Sequence, residues 1–267
     1  MVARVRKVCG TRAVGHAGTL DPFATGLLVV LLGRATRLAR FVEQQPKTYL
    51  GTARLGIRTA TDDRTGAVIA EAPAAWRVER GRIEQALAAF RGPQLQRPPA
   101  FSAKKVEGRR SYALARRGEP AELREVQVTI YSIEAVAIRF PDVTFRTTVS
   151  PGTYIRAIAR DLGDRLGGGA HLVELRREAV GPLRVEDAVQ LDDLAPRTPI
   201  LPPLAVLGHL PRVEVGPEDT GRLAHGRTIR PSRAPAGVVA LVAEGRLVAV
   251  GESGPEGIHP VVVLEAA

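Results

Sequence analysis

Gly15-His16-Ala17-Gly18-Thr19-Leu20-Asp21-Pro22-Phe23-Ala24-Thr25-Gly26 runs into the apolar stretch Leu27-Leu28-Val29-Val30-Leu31-Leu32 and stops at Gly33. An apolar run of that length between glycines reads as a buried strand and is far too short to cross a membrane. The loop before it carries Asp21, the sole acidic residue among the first 42, in company with Arg4, Arg6, Lys7, Arg12, Arg34, Arg37 and Arg40. A lone carboxylate in a cationic field, on a loop bounded by Gly and Pro, is placed to meet a polyanion. The competing reading is an ordinary turn aspartate before proline.

Outward from this stretch, strands and helices mix without strict alternation, which favours an α+β class over a doubly wound sheet. Arg34–Glu43 places Leu38, Phe41 and Val42 on one helical face, and Thr48–Leu55 reads as a strand ending at Gly56. Thr59–Gly66 is polar and turn-like; its adjacent Asp62 and Asp63 point apart on most backbones, which argues against a working carboxylate pair. Val78–Phe90 reads as an amphipathic helix, and Val126–Ile138 and Val143–Val149 as strands. In Thr153–Leu166 the apolar residues Ile155, Ile158, Leu162 and Leu166 recur at helical spacing, and Gly167-Gly168-Gly169 ends the helix. His171–Val180 returns as a strand. After Asp193 comes a Pro-rich linker, and then short β-rich runs, Val238–Val242, Leu247–Val250 and Val261–Leu264, which read as a small β domain.

The net charge of +10 is concentrated. Residues 1–42 sum to +6 and residues 97–124 to +5, leaving about −1 for the rest. Codon bias in a GC-rich genome accounts for 34 Arg against 4 Lys and for the absence of Asn, but it would spread the charge evenly. Two basic patches, the second with Phe101 and Tyr112 among its cations, point to nucleic acid. The single cysteine, Cys9, fits a reducing compartment, and no secretion pattern opens the chain, so a cytoplasmic location is expected. The five scattered histidines and one cysteine give no metal-ligand spacing, and no phosphate-cradling or dinucleotide fingerprint occurs; no metal or cofactor is expected.

The stretch Gly15 to Gly33, continued by Ala35-Thr36-Arg37, resembles the signature of the TruB family of tRNA pseudouridine synthases, which isomerise uridine-55 in the TΨC loop. Three more segments match in order. Lys47-Thr48-Tyr49 leads into Ala53-Arg54-Leu55-Gly56, Pro98-Pro99-Ala100-Phe101-Ser102-Ala103 opens a basic insertion, and Gly152-Thr153-Tyr154-Ile155-Arg156 opens a helix. The resemblance implies a mixed or antiparallel sheet flanked by helices over residues 1–208, a basic RNA clamp at about 93–124, and a PUA-like β domain at 209–267. It also implies that tRNA is the partner, through its TΨC stem-loop, with no membrane, no required protein partner and a monomeric state.

In that family the aspartate of the Gly-His-x-Gly-x-Leu-Asp-Pro segment is the catalytic carboxylate, so the role passes to Asp21, and Arg156 becomes its partner. From periodicity alone Arg156 reads as an exposed helix residue with a solvated charge, and the motif match reverses that reading. Tyr49 is implied as the platform for an extruded base, although an aromatic in a strand is more often core. His16 is implied to fill the space that the base vacates, and Leu175 to line the pocket. Lys104, Lys105, Arg109 and Arg110 belong to the implied clamp, against the alternative of a solvated charged helix. Family members carry a strand and a Lys-Pro loop ahead of the point where this chain opens, so a start codon assigned too late is expected. Two rivals follow: a guide-RNA-dependent subunit modifying rRNA, and a non-catalytic RNA-binding or RNA-folding protein.

Overall fold

A computed structural model describes residues 1–101, 105–106, 109–110 and 124–264, the two dipeptides by their backbone alone. Those dipeptides, Lys105–Val106 and Arg109–Arg110, pair antiparallel. Lys104 lies outside the described residues, as do the side chains of Lys105, Arg109 and Arg110. By packing, the chain forms two units: Met1–Thr19 with Leu28–Gln44 and Gly181–Ala267, and Leu20–Leu27 with Gln45–Val180.

The second unit is built on five strands in the spatial order Gly92–Gln96, Val126–Arg139, Asp142–Val149, Lys47–Leu55 and Ala170–Val180, each antiparallel to the next. Thr25–Gly26 adds to the last of these in parallel, at Arg176 and Arg177. Asp142–Val149 shows why the sheet has one core face: Val143, Phe145, Thr147 and Val149 are buried and the residues between them are half-exposed. Onto that face packs the helix Ile155–Leu166, whose Ile155, Ile158, Leu162 and Leu166 are all buried, as its period requires. A side chain on its Gly163 would stand 2.1 Å from Ala170 N and Gly169 C, so only glycine lets helix and turn come this close. Gly167, at φ 83°, ends the helix. The helix Arg80–Ala88 contributes Ile83 and Leu87, and the Arg165 guanidinium lies 3.9 Å above the Phe90 ring that follows it.

In the first unit the expected strand Leu27–Leu32 is shorter. Val29–Leu32 pairs antiparallel with Val14–Ala17, while Leu27 belongs to the other unit, where its N–H and C=O are both engaged by Arg177. The single helix expected over Arg34–Glu43 is a 3-10 turn, Gly33–Leu38, followed by the short α-helix Ala39–Glu43. Leu38 and Val42 are nonetheless fully buried. Toward the C-terminus, Arg212–Glu214, Gly237–Ala243, Arg246–Gly254 and Gly257–Val263 form a four-stranded sheet around Val239, Leu241, Val248 and Ile258.

The outer edge of this sheet explains three of the cations grouped with Asp21 in the sequence. Arg34 Nη1 donates to Leu264 O at 2.9 Å, Arg37 Nη1 to Val263 O at 2.9 Å, and Arg40 Nη2 to Val261 O at 3.5 Å. Arg4 pairs with Asp192 at 2.6 Å and Arg6 donates to Val14 O. All five donate within their own unit.

Candidate active site

Asp21 opens a β-turn. Its C=O accepts the Ala24 N–H at 2.9 Å, and Pro22 supplies the fixed φ that suits the second position of such a turn. The loop is then stitched to the strand Ala170–Val180: the Leu27 N–H donates to Arg177 O at 2.8 Å, and Arg177 Nε donates to Leu27 O at 2.7 Å. Gly26 makes that approach possible. Its φ is +96°, and a Cβ there would sit 2.3 Å from Arg177 O and 2.8 Å from Arg177 N. Gly26→Ala is expected to cost at least about 2 kcal/mol of stability, read as a lowered denaturation midpoint. An unchanged midpoint would show that the loop is not pinned there.

The carboxylate of Asp21 is gripped by a fork. Arg156 Nε donates to Oδ2 and Nη2 to Oδ1, both at 3.0 Å. Arg156 is buried, whereas the Asp21 side chain keeps 28% of its exposure. Each carboxylate oxygen therefore takes one N–H and still presents lone pairs toward the open side. The guanidinium is itself fixed from behind. Nη1 donates to Thr61 O at 2.9 Å, Nη2 to Phe101 O at 3.0 Å, and Asp63 Oδ2 lies 3.4 Å from Nη1. Asp63 is held in turn, since its Oδ1 accepts from Thr61 Oγ1, Thr65 N and Thr65 Oγ1 at 2.6–2.9 Å. A buried cation with two carboxylates and two carbonyls around it has little freedom to turn.

Tyr49, on the strand Lys47–Leu55, stands opposite Arg177 in the register and is buried in the core cluster that also holds Leu175 and Ile155. Burial pushes its phenol above the usual value of 10, while the charge and hydrogen bond of Arg177 pull the other way and the nearby Asp21 carboxylate adds to the rise. The phenol thus stays protonated at neutral pH in this state. Arg177 is the largest fully buried side chain, and it ties the Asp21 loop to Tyr49.

The structure brings Asp21, Arg156 and Tyr49 together, with Leu175 in the same core. His16 lies in the other unit, on the strand Val14–Ala17 opposite Val30, with its side chain exposed. Two residues of the site were not expected from the sequence: Asp63, which was discounted as half of a carboxylate pair, and Arg177, to which no role was given. Asp62 and Asp63 do point apart, as adjacent residues should, but each reaches a different arginine of one helix: Asp63 faces Arg156 and Asp62 faces Arg160. The flanking Thr61 and Thr65, both suited to bond an aspartate between them, were the available signal. For Arg177 the signal was strand alternation, which puts it on the same face as the apolar Leu175. Among the described residues no group of three or more His, Cys, Asp or Glu is placed to hold a metal, and no helix is long and apolar enough to cross a membrane.

Residues 6–155 match the family model described as TruB family pseudouridylate synthase (N terminal domain), and residues 156–198 match the tRNA pseudouridylate synthase B C-terminal domain. The chain belongs to the TruB family. It is 42% identical over 272 residues to the tRNA pseudouridine synthase B of Thermobifida fusca (strain YX), covering 98% of this chain and 92% of that one. The protein of the same name from Aquifex aeolicus (strain VF5) is 36% identical over 259 residues, covering 94% and 90%. The TruB fold is shared with a chain in the crystal structure of the archaeal box H/ACA sRNP Nop10-Cbf5 complex, at TM-score 0.75 and 24% identity, covering 99% of this chain and 81% of that one. In this TruB chain the four sequence motifs are spread over two packing units, and three of them meet at Arg156: the Asp21 loop, the Pro98–Phe101 segment and the helix start.

Proposed function

We propose that this chain isomerises uridine-55 of the tRNA TΨC loop to pseudouridine, with Asp21 as the catalytic carboxylate, Arg156 as its orienting cation and Tyr49 as the surface against which the extruded base lies. The observation that carries this reading is the forked Asp21–Arg156 pair, partly open to solvent on the aspartate side, in a chain so similar to proteins named tRNA pseudouridine synthase B.

The reaction breaks the bond from uracil N1 to the ribose anomeric carbon and joins that carbon to C5. C5 gives up its proton and N1 gains one, so no group enters or leaves. The uracil must first leave its stack, which costs a few kcal/mol and less in a loop than in a duplex. Stacking on an aromatic ring offsets about 1–3 kcal/mol of that cost. The pair suits the chemistry in two ways. A carboxylate held by two N–H groups keeps one geometry as the base turns, and its negative charge opposes the positive charge that develops at the anomeric carbon. The protonated, buried Tyr49 has an O–H with which to orient a uracil carbonyl.

Relatives at about 42% identity are named for tRNA, whereas the likeness to the H/ACA complex extends to the fold alone. We accordingly expect a single chain to act on tRNA without a guide RNA. The deciding experiment incubates the protein with an unmodified tRNA transcript and maps pseudouridine by base-selective chemistry; no product from the wild-type chain would overturn the reading. A separate prediction addresses the basic insertion. Replacing Lys104, Lys105, Arg109 and Arg110 by Ala should weaken tRNA binding and lower the slope of log K against log salt by about 0.9 for each phosphate that is no longer neutralised. An unaltered slope would show that the insertion does not touch the RNA.

A further inference from the structure

We propose that Arg160 is a positioning residue for Arg156, holding in place the two chain segments that supply Arg156 with acceptors; this rests on the reading of Asp21 and Arg156 as the reaction's charged pair.

Arg160 follows Arg156 by one helical turn on Ile155–Leu166, so the two guanidiniums share a face. Arg156 donates to Thr61 O and to Phe101 O. Arg160 grips the same two segments: Nη1 donates to Asp62 Oδ2 at 3.0 Å and Nη2 to Arg97 O at 2.8 Å, while Nε donates to Asp161 Oδ1 at 2.8 Å. One arginine thus orients the carboxylate and the other fixes the walls that orient the first.

The bond to Asp62 is the informative one. Asp62 adopts φ 59°, a left-handed conformation that L residues seldom take. That conformation turns the chain so that Thr61 O on one side and the Asp63 carboxylate on the other both face Arg156. The Asp62 C=O accepts the Leu172 N–H at 3.0 Å, which anchors the turn to the sheet, and Arg160 anchors its side chain to the helix. Burial pushes the Asp62 carboxyl up, and the Arg160 charge opposes that shift. Without Arg160 the turn has a half-buried carboxylate without its hydrogen-bonded cation and an unfavoured backbone without its clamp. The segment Arg97–Phe101 simultaneously loses its bond from Arg160 and keeps the one from Arg156 to Phe101 O. Arg156 would then keep its carboxylates while losing the fixed directions from which the carbonyls hold it.

The test is a double-mutant cycle read in single-turnover pseudouridine formation on an unmodified tRNA transcript, with the transcript's dissociation constant and the melting midpoint measured alongside. Arg160→Ala is expected to slow the reaction by roughly 10- to 100-fold, the range for a small displacement of reacting groups. Its tRNA affinity should shift by less than about twofold. In an Arg156→Lys background, where the fork is already lost, Arg160→Ala should add less than about a twofold loss, because coupled residues are not additive. Asp62→Gly, which accepts the left-handed turn at no steric cost, should give a smaller loss than Arg160→Ala. Equal losses from Arg160→Ala in both backgrounds would make the residue a general support of the fold and overturn the proposal, as would an unchanged rate. Should Arg160→Ala fail to fold, Arg160→Gln enters the same cycle and is judged by the same criterion. Failure of the underlying reading is distinguishable: it would show as wild-type rates in Asp21→Asn, or as no product from the wild type.

Discussion

Asp21→Asn should leave a folded, tRNA-binding protein that no longer forms pseudouridine, with a single-turnover rate reduced by about 10⁴-fold or more, the scale seen when the central group of a catalytic set is removed. The substitution is nearly isosteric, so its effect isolates charge and acceptor capacity. In the wild type both carboxylate oxygens accept from the Arg156 fork. An asparagine offers one oxygen and one NH₂, so one arm of the fork keeps an acceptor and the other faces a donor. The carboxylate's capacity to attack, or to steady positive charge at the sugar, is gone. Stability should change by no more than about 1–2 kcal/mol. Asp21 is partly exposed, and Arg156 retains Asp63, Thr61 O and Phe101 O. Mapping of modified positions in a transcript gives the rate, and a thermal melt gives the stability. Product at the wild-type rate would remove Asp21 from the chemistry.

Arg156 separates orientation from charge. Arg156→Lys keeps a cation but has one compact head where the structure uses a planar fork that reaches two carboxylates and two carbonyls. A loss of roughly 10²-fold in the chemical step is expected, with tRNA affinity little altered. Arg156→Met removes the cation altogether and leaves the buried Asp63 beside Asp21 with no charge between them. That should cost about 3–5 kcal/mol of stability, since breaking a buried pair strands the remaining ion. A methionine variant as stable as the wild type would show that Asp63 finds enough compensation in Thr61 and Thr65 alone.

Much of this was legible before the structure. The recurrence of Ile155, Ile158, Leu162 and Leu166 marks the helix because one face must be apolar, and all four are buried. Lys47–Leu55 and Asp142–Val149 form nearly where their β-rich content puts them, and the α+β class follows from the mixed order of elements. The pairing of Arg156 with Asp21 was not legible from spacing, because 135 residues separate them; it came from resemblance to a family. Asp63 escaped because its role depends on a cation that folding brings to it. Arg34, Arg37 and Arg40 were misread for the opposite reason: their neighbours in sequence suggested a polyanion, while folding gave them the carbonyls of a strand more than 200 residues away.

That last arrangement bears on how this protein behaves at high concentration. The strand Gly257–Val263 is the last of its sheet, and a bare last strand offers its amides and carbonyls to any other chain that drifts alongside. Guanidiniums already occupy the outward carbonyls of Val261 and Val263, and bulky cations standing there repel a second copy bearing the same charge. Replacing Arg34, Arg37 and Arg40 by Ala is expected to free those carbonyls and to raise precipitation as the concentration climbs.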